Sequence, residues 1–244
     1  MILLRAFACA LGFLTRIPAP RVAYTPEVLG LAAGFFPLVG LLLGGLSSGL
    51  LWLLGERALH PLWTVGFLAL HALASGALHL DGLSDLADGL GGSRGDRARA
   101  LEIMRDPHIG AFGVVALVLF LGAKGFALHD VLRHPRAAWI LLAAPVVARF
   151  VAVVLLAFIP SARPDGLAVS FRERCGTPSL LLAVATTLGV VYWTGLRPPW
   201  GVAVGVGLLV GLLVAWRLRG ITGDVIGAAV ELSELAFFIA ARHA

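Results

Sequence analysis

Three aspartates stand close together in HLDGLSDLADGLGG (79–92): Asp81, Asp85 and Asp88. At 3.6 residues per turn, positions i, i+4 and i+7 differ by only about 60° around a helix axis, so the three carboxylates share one face. Crowded anions hold on to protons unless a cation compensates them. Oxygen donors with no cysteine nearby suit Mg²⁺, or Mn²⁺ in its place, better than zinc, and magnesium sites commonly combine a few carboxylates with substrate phosphates. If the helix of the preceding apolar run 61–80 continues, the aspartates lie at its C-terminal end, where the helix dipole adds to the need for a cation. The plainer alternative is a solvated loop in which they meet Arg94, Arg97 or Arg105 as surface ion pairs.

A second acidic set lies in GITGDVIGAAVELSEL (220–235). Asp224 and Glu231 are seven apart and share a face, with Gly227 and Ala228 leaving room between them; Glu234 points in a neighbouring direction. Acids inside an apolar segment are costly unless they line a polar cavity. Thr222 and Gly223, at the start of that segment, could meet a phosphate, although Asp224 could equally be a simple N-cap. His79, two residues before Asp81, is a further candidate, whereas His71 reads as a packing residue. Arg149 needs an acidic or substrate partner; Lys124, near a span end, can snorkel.

These residues must be positioned by a membrane domain. The chain is 59% hydrophobic and 14% charged, with a mean hydropathy of +0.93, more apolar surface than a soluble fold of 244 residues could bury. Apolar runs near 28–54, 61–80, 109–128, 137–159, 179–195, 199–216 and 225–241 predict an all-α, polytopic bundle of six or seven transmembrane helices, forming one domain over 1–244. The six tryptophans fall close to the expected span ends. With a cytoplasmic N-terminus, most arginines fall on the cytoplasmic side, which puts 81–108 and Asp224 on one face as an active-site region. The net charge of +5 is scattered over short loops and predicts no nucleic-acid partner. Residues 1–21 read as an interfacial or partly inserted helix; Arg16 and the prolines after it argue against a cleaved signal. Ser93 and Asp96 resemble a capping box for a short helix closed by Pro107, with Leu101 and Met104 on one face toward the membrane surface. Glycine pairs four apart (40/44, 45/49, 201/205, 207/211) fit close helix packing in lipid. Cys9 and Cys175 are too separated for a disulfide framework.

Four ordered motifs, FLTRIP (13–18), HLDGLSDLADG (79–89), ALEIMRDPHIGAFG (100–113) and GITGDVIGAAVELSE (220–234), resemble the cobalamin synthase family, the adenosylcobinamide-GDP ribazoletransferases. The resemblance implies a Mg²⁺-dependent membrane enzyme of late vitamin B12 biosynthesis, in the bacterial cytoplasmic membrane. It would join adenosylcobinamide-GDP to α-ribazole, or its 5′-phosphate, and release GMP. On that basis Asp81, Asp85 and Asp88 are expected to bind metal, one of them able to take the proton of the attacking hydroxyl. Asp224 and Glu231 complete the metal site or orient the nucleotide. Arg16, His79, Arg94, Arg105, Thr222 and Glu234 are the expected substrate contacts. Association into a homo-oligomer is compatible with the sequence. A CDP-alcohol phosphotransferase also clusters aspartates at a membrane face, but Leu83-Ser84-Asp85-Leu86 after Asp81-Gly82 lacks that family's Ala-Arg element. A transporter with an acidic vestibule is the non-enzymatic alternative.

Overall fold

The computed structural model describes residues 1–243. Twelve helices account for it: α1 Ile2–Leu14, α2 Pro26–Ala32, α3 Phe36–Leu54, α4 Pro61–Ser75, α5 Leu78–Gly92, α6 Arg97–Ile103, α7 Ala111–Leu132, α8 Ala137–Phe158, α9 Leu167–Arg174, α10 Thr177–Thr194, α11 Arg197–Leu218 and α12 Gly223–Ala241. Among the described residues the sole β contact is an isolated bridge between Ser161 and Ile221. The protein is therefore all-α.

Five stretches are long and apolar enough to cross a membrane: Pro26–Leu59, α7, α8, α10 and α11, with α4 and α5 together a sixth, broken one. The first is not one straight helix, because 3₁₀ turns at Ala33–Phe35 and Gly55–Leu59 bracket α3. The 19-residue α12 has the length of a span but carries Asp224, Glu231 and Glu234. It is buried by α5, α8 and α11 instead of facing lipid. At the centre, α8 packs against α3 and α12, and nearly all of its middle is enclosed. Two of the four expected glycine pairs serve as contacts. A Cβ on Gly40 would collide with the α8 backbone, and one on Gly207 or Gly211 with Val151 or Leu155 of α8. Gly45, Gly49, Gly201 and Gly205 face open space. Exposed Trp52, Trp193 and Trp216 sit near helix ends, as amphipathic rings at a headgroup boundary would.

Long-range polar contacts tie the connections together at each end. At one end Arg97 donates to Leu218 O (2.6 Å) and Ala162 O (3.1 Å). At the other Arg133 donates to Leu59 O (3.1 Å), and Arg242 lies 3.2 Å from Asp130. The 81–108, 160–166 and 219–222 connections thus share an end, as the alternation of charge along the sequence predicts.

Candidate active site

The three aspartates reach this shared end through a break in the chain. Gly76 (φ +62) and Ala77 (φ +56) are both left-handed, and α5 leaves α4 at 91°. The expected continuous helix is therefore two. Asp81 lies in the first turn of α5, where the dipole favours an anion; the expected C-terminal placement is reversed. Asp81, Asp85 and Asp88 do occupy one continuous helix. Arg16 secures the break: its N–H donates to Ala74 O (2.7 Å), and its exposed side chain lies along Gly76.

Helix α12 begins beside α5. Thr222 caps it, accepting from Val225 N (3.3 Å) while its hydroxyl donates to Asp224 Oδ2 (3.1 Å). A Cβ on Gly82 would come within 3.0 Å of the Asp224 backbone, and one on Gly227 within 3.2 Å of His79 O. Only glycine at these two positions lets the helices approach so closely. The consequence is that Asp81 and Asp224, far apart in sequence, share one mouth of the bundle, with Asp85 one turn further along α5. Arg163, from the 160–166 connection, reaches in with Nη1 3.4 Å from Asp224 Oδ2 and donates to Leu101 O (3.3 Å). Asp85, one turn beyond Asp81 on α5, lies in the fields of Asp81, Asp224 and Asp88, with Arg163 opposing. Beneath the mouth lies a cavity of about 290 Å³, lined by His79, Asp81, Arg163, Thr222 and Asp224 together with apolar residues of α1, α3, α8, α9 and α12. His79 Nδ1 is buried without a hydrogen-bond partner among the described residues.

Asp88 and Glu231 are used differently from expectation. Asp88 accepts from Gly110 N (2.8 Å) and Gly113 N (2.9 Å), so its oxygens cap the start of α7 and pin it to α5. A Cβ on either glycine would overlap that carboxylate. Glu231, seven residues along α12, is about 10 Å deeper than Asp224. There Lys124 Nζ lies 2.6 Å from Glu231 Oε2 and 3.1 Å from Glu234 Oε1, and Arg149 Nη1 lies 2.8 Å from Glu234 Oε2. His71 Nδ1 is 3.5 Å from Glu234, and its Nε2 is 2.7 Å from Ser47 Oγ. Glu231 and Glu234 therefore belong to a buried ion cluster. Lys124, 5% exposed, does not snorkel. His71, read as a packing residue, joins the cluster.

Of the remaining expected contacts, Arg105 forms an exposed pair with Asp165 (2.7 Å), a residue of the cavity wall, and Arg94 lies exposed in the turn after α5. Asp96, not Ser93, caps α6, accepting from Arg99 N (3.0 Å). Met104 is buried against Gly89 instead of facing the membrane surface. Sequence reasoning passed over Arg163. Its only signal was an arginine in a short polar connection, one of several.

Among the described residues no three histidine, cysteine or acidic side chains are gathered tightly enough to form a ready-made ion cage. The oxygen donors of Asp81, Asp85 and Asp224 nevertheless suit a hard divalent ion, and Arg163 alone leaves their charge under-compensated.

A profile of the family described as cobalamin-5-phosphate synthase matches residues 6–242. Among curated relatives named adenosylcobinamide-GDP ribazoletransferase, that of Geotalea daltonii is 42% identical, covering 96% of this chain and 95% of its own. The relative from Pseudomonas aeruginosa PAO1 is 42% identical, covering 97% of both chains. The one from Klebsiella pneumoniae is 38% identical over 98% of this chain and 99% of its own. No solved structure matches the chain. With the profile spanning nearly every residue, the chain belongs to the cobalamin-5-phosphate synthase family.

Proposed function

We propose that the protein is a membrane-embedded transferase that joins adenosylcobinamide-GDP to α-ribazole, or its 5′-phosphate, and releases GMP. The relatives' shared name supports the substrates. The convergence of Asp81, Asp224 and Arg163 on one cavity mouth, with Asp85 beside them, carries the mechanism.

In the reaction a ribazole hydroxyl attacks the phosphorus attached to cobinamide. The pyrophosphate bond breaks, GMP leaves with its bridging oxygen, and the hydroxyl loses its proton. Transfer at phosphorus depends chiefly on positioning and charge neutralisation. Asp81, Asp85 and Asp224 would hold Mg²⁺, which supplies positive charge to the phosphate oxygens. Arg163 offers a second positive group at the same mouth. One carboxylate of this set takes the proton of the attacking hydroxyl. Thr222 orients Asp224 through its hydroxyl, and Asp88 holds α7 against α5 so that the mouth keeps its shape.

The arginine bias supports a mouth on the cytoplasmic face of a bacterial inner membrane, open to soluble, charged reactants. The test is direct: purified protein in detergent receives adenosylcobinamide-GDP and α-ribazole, with Mg²⁺ or with EDTA. Corrinoid product and GMP should appear together, and only with metal. GMP without corrinoid product, or equal yields in EDTA, would contradict the proposal.

A further inference from the structure

One glycine pair of the sequence is left without a helix to pack on. Gly201 and Gly205, one turn apart on α11, both face open space. Arg197 stands one turn before Gly201, and steps of four residues drift by only about 40° around a helix, so the three share a ridge. A cation therefore tops the ridge, and two missing side chains follow about 6 and 12 Å further along it. Helices α10 and α11 are joined by Gly195 and Leu196 alone, yet α10 packs mainly on α8 and α11 on α12 and α8. Between them is a groove of about 480 Å³, within the range usual for small-molecule sites. It is lined by exposed Leu188, Tyr192, Arg197 and Gly201 and by the more enclosed Val191 and Trp200.

We propose that this groove binds one anionic phospholipid, its phosphate on Arg197 and an acyl chain along Gly201 and Gly205. Both helices are long and apolar enough to cross a membrane, so what fills a groove between them is lipid. Charge decides which lipid. Arg197 forms no ion pair among the described residues, and no acidic residue occurs between Glu173 and Asp224. Arg136 brings a second positive side chain to the same turn, where it donates to Thr194 O. Exposed Tyr192 and Trp193 set this end of the bundle at headgroup depth, where a phosphate would meet the arginine. A second copy of the chain is the other occupant that a glycine ridge invites. Two copies in one membrane share an orientation, however, so pairing their ridges would set one Arg197 against the other with no acid to compensate. An anionic headgroup meets the same charge with attraction. The groove lies at the end away from the aspartates, and the inference is independent of the transferase reading.

The test uses the full chain, purified in detergent and stripped of lipid. It is titrated with palmitoyl-oleoyl phosphatidylglycerol, with phosphatidylcholine of the same chains, and with glycerophosphate. Native mass spectrometry counts bound molecules, and thermal melting follows stability. Wild type should bind phosphatidylglycerol about fivefold or more tightly than phosphatidylcholine, and melt later with it. Arg197→Gln should erase most of that preference. Gly201→Leu adds a side chain whose Cβ meets no atom within 4 Å, so without lipid it should melt no earlier than wild type, while its selective binding of phosphatidylglycerol is lost. Equal affinity of wild type for the two lipids, or an unchanged preference in both variants, would overturn the site. Full stabilisation by glycerophosphate alone would overturn the acyl-chain groove. A lipid-independent dimer that Gly201→Leu dissociates would give the groove to a second copy and overturn the lipid assignment.

Discussion

Two acidic clusters lie one above the other in the same bundle, and they are solved in opposite ways. In the deep cluster Glu231 and Glu234 face Lys124 and Arg149, two cations for two carboxylates, at separations of 2.6–3.1 Å. At the mouth Asp81, Asp85 and Asp224 share one arginine, Arg163, which approaches Asp224 only to 3.4 Å. Charges that neutralise one another in a low-dielectric interior are a structural solution, because an unpaired ion there is prohibitively costly. Charges left uncompensated beside a cavity are tolerable at the rim, where water reaches them. The difference is what a structural role for the deep cluster and the proposed catalytic role for the mouth would each require.

The largest effects should separate the two. Asp81→Asn should lower the rate of GMP release roughly 10²- to 10³-fold or more, with a melting temperature unchanged or raised because like-charge repulsion is relieved. A variant that melts early would place Asp81 among the structural acids. Conversely, Glu234→Leu leaves Arg149 unpaired and should cost about 3–5 kcal/mol of stability, read as an earlier thermal transition in detergent. The double variant Glu234→Leu/Arg149→Leu should regain most of that loss, and failure to recover would break the view of the cluster as mutual neutralisation.

Asp88 sharpens the boundary between the groups. Its Asn variant keeps one acceptor for Gly110 or Gly113 and loses the charge, at a cost of about 1–3 kcal/mol. Activity should fall in step with stability while Mg²⁺ affinity holds. Lost affinity at full stability would return Asp88 to the metal ligands.

Much of the bundle was legible in the sequence because lipid demands long apolar runs. The expected 109–128, 137–159, 179–195 and 199–216 lie within a few residues of α7, α8, α10 and α11. The α4–α5 break was not legible, since it depends on Ala77 adopting a left-handed backbone that its type gives no reason to expect. The common face of Asp81, Asp85 and Asp88 followed from spacing, but spacing carries no depth or partners. Asp224 and Glu231 share a helical face, yet one meets Arg163 at the rim and the other Lys124 in the interior. Asp88 could not be distinguished from its neighbours until Gly110 and Gly113 were brought to it by the fold.

Whether the mouth or the interior receives a divalent ion can be read by titrating purified protein with Mn²⁺ and following free ion by electron paramagnetic resonance. Wild type should bind, Asp224→Asn should lose binding, and a folded Glu231→Gln variant should keep it. Binding kept in Asp224→Asn and lost in Glu231→Gln would move the ion to the interior and refute the assignment.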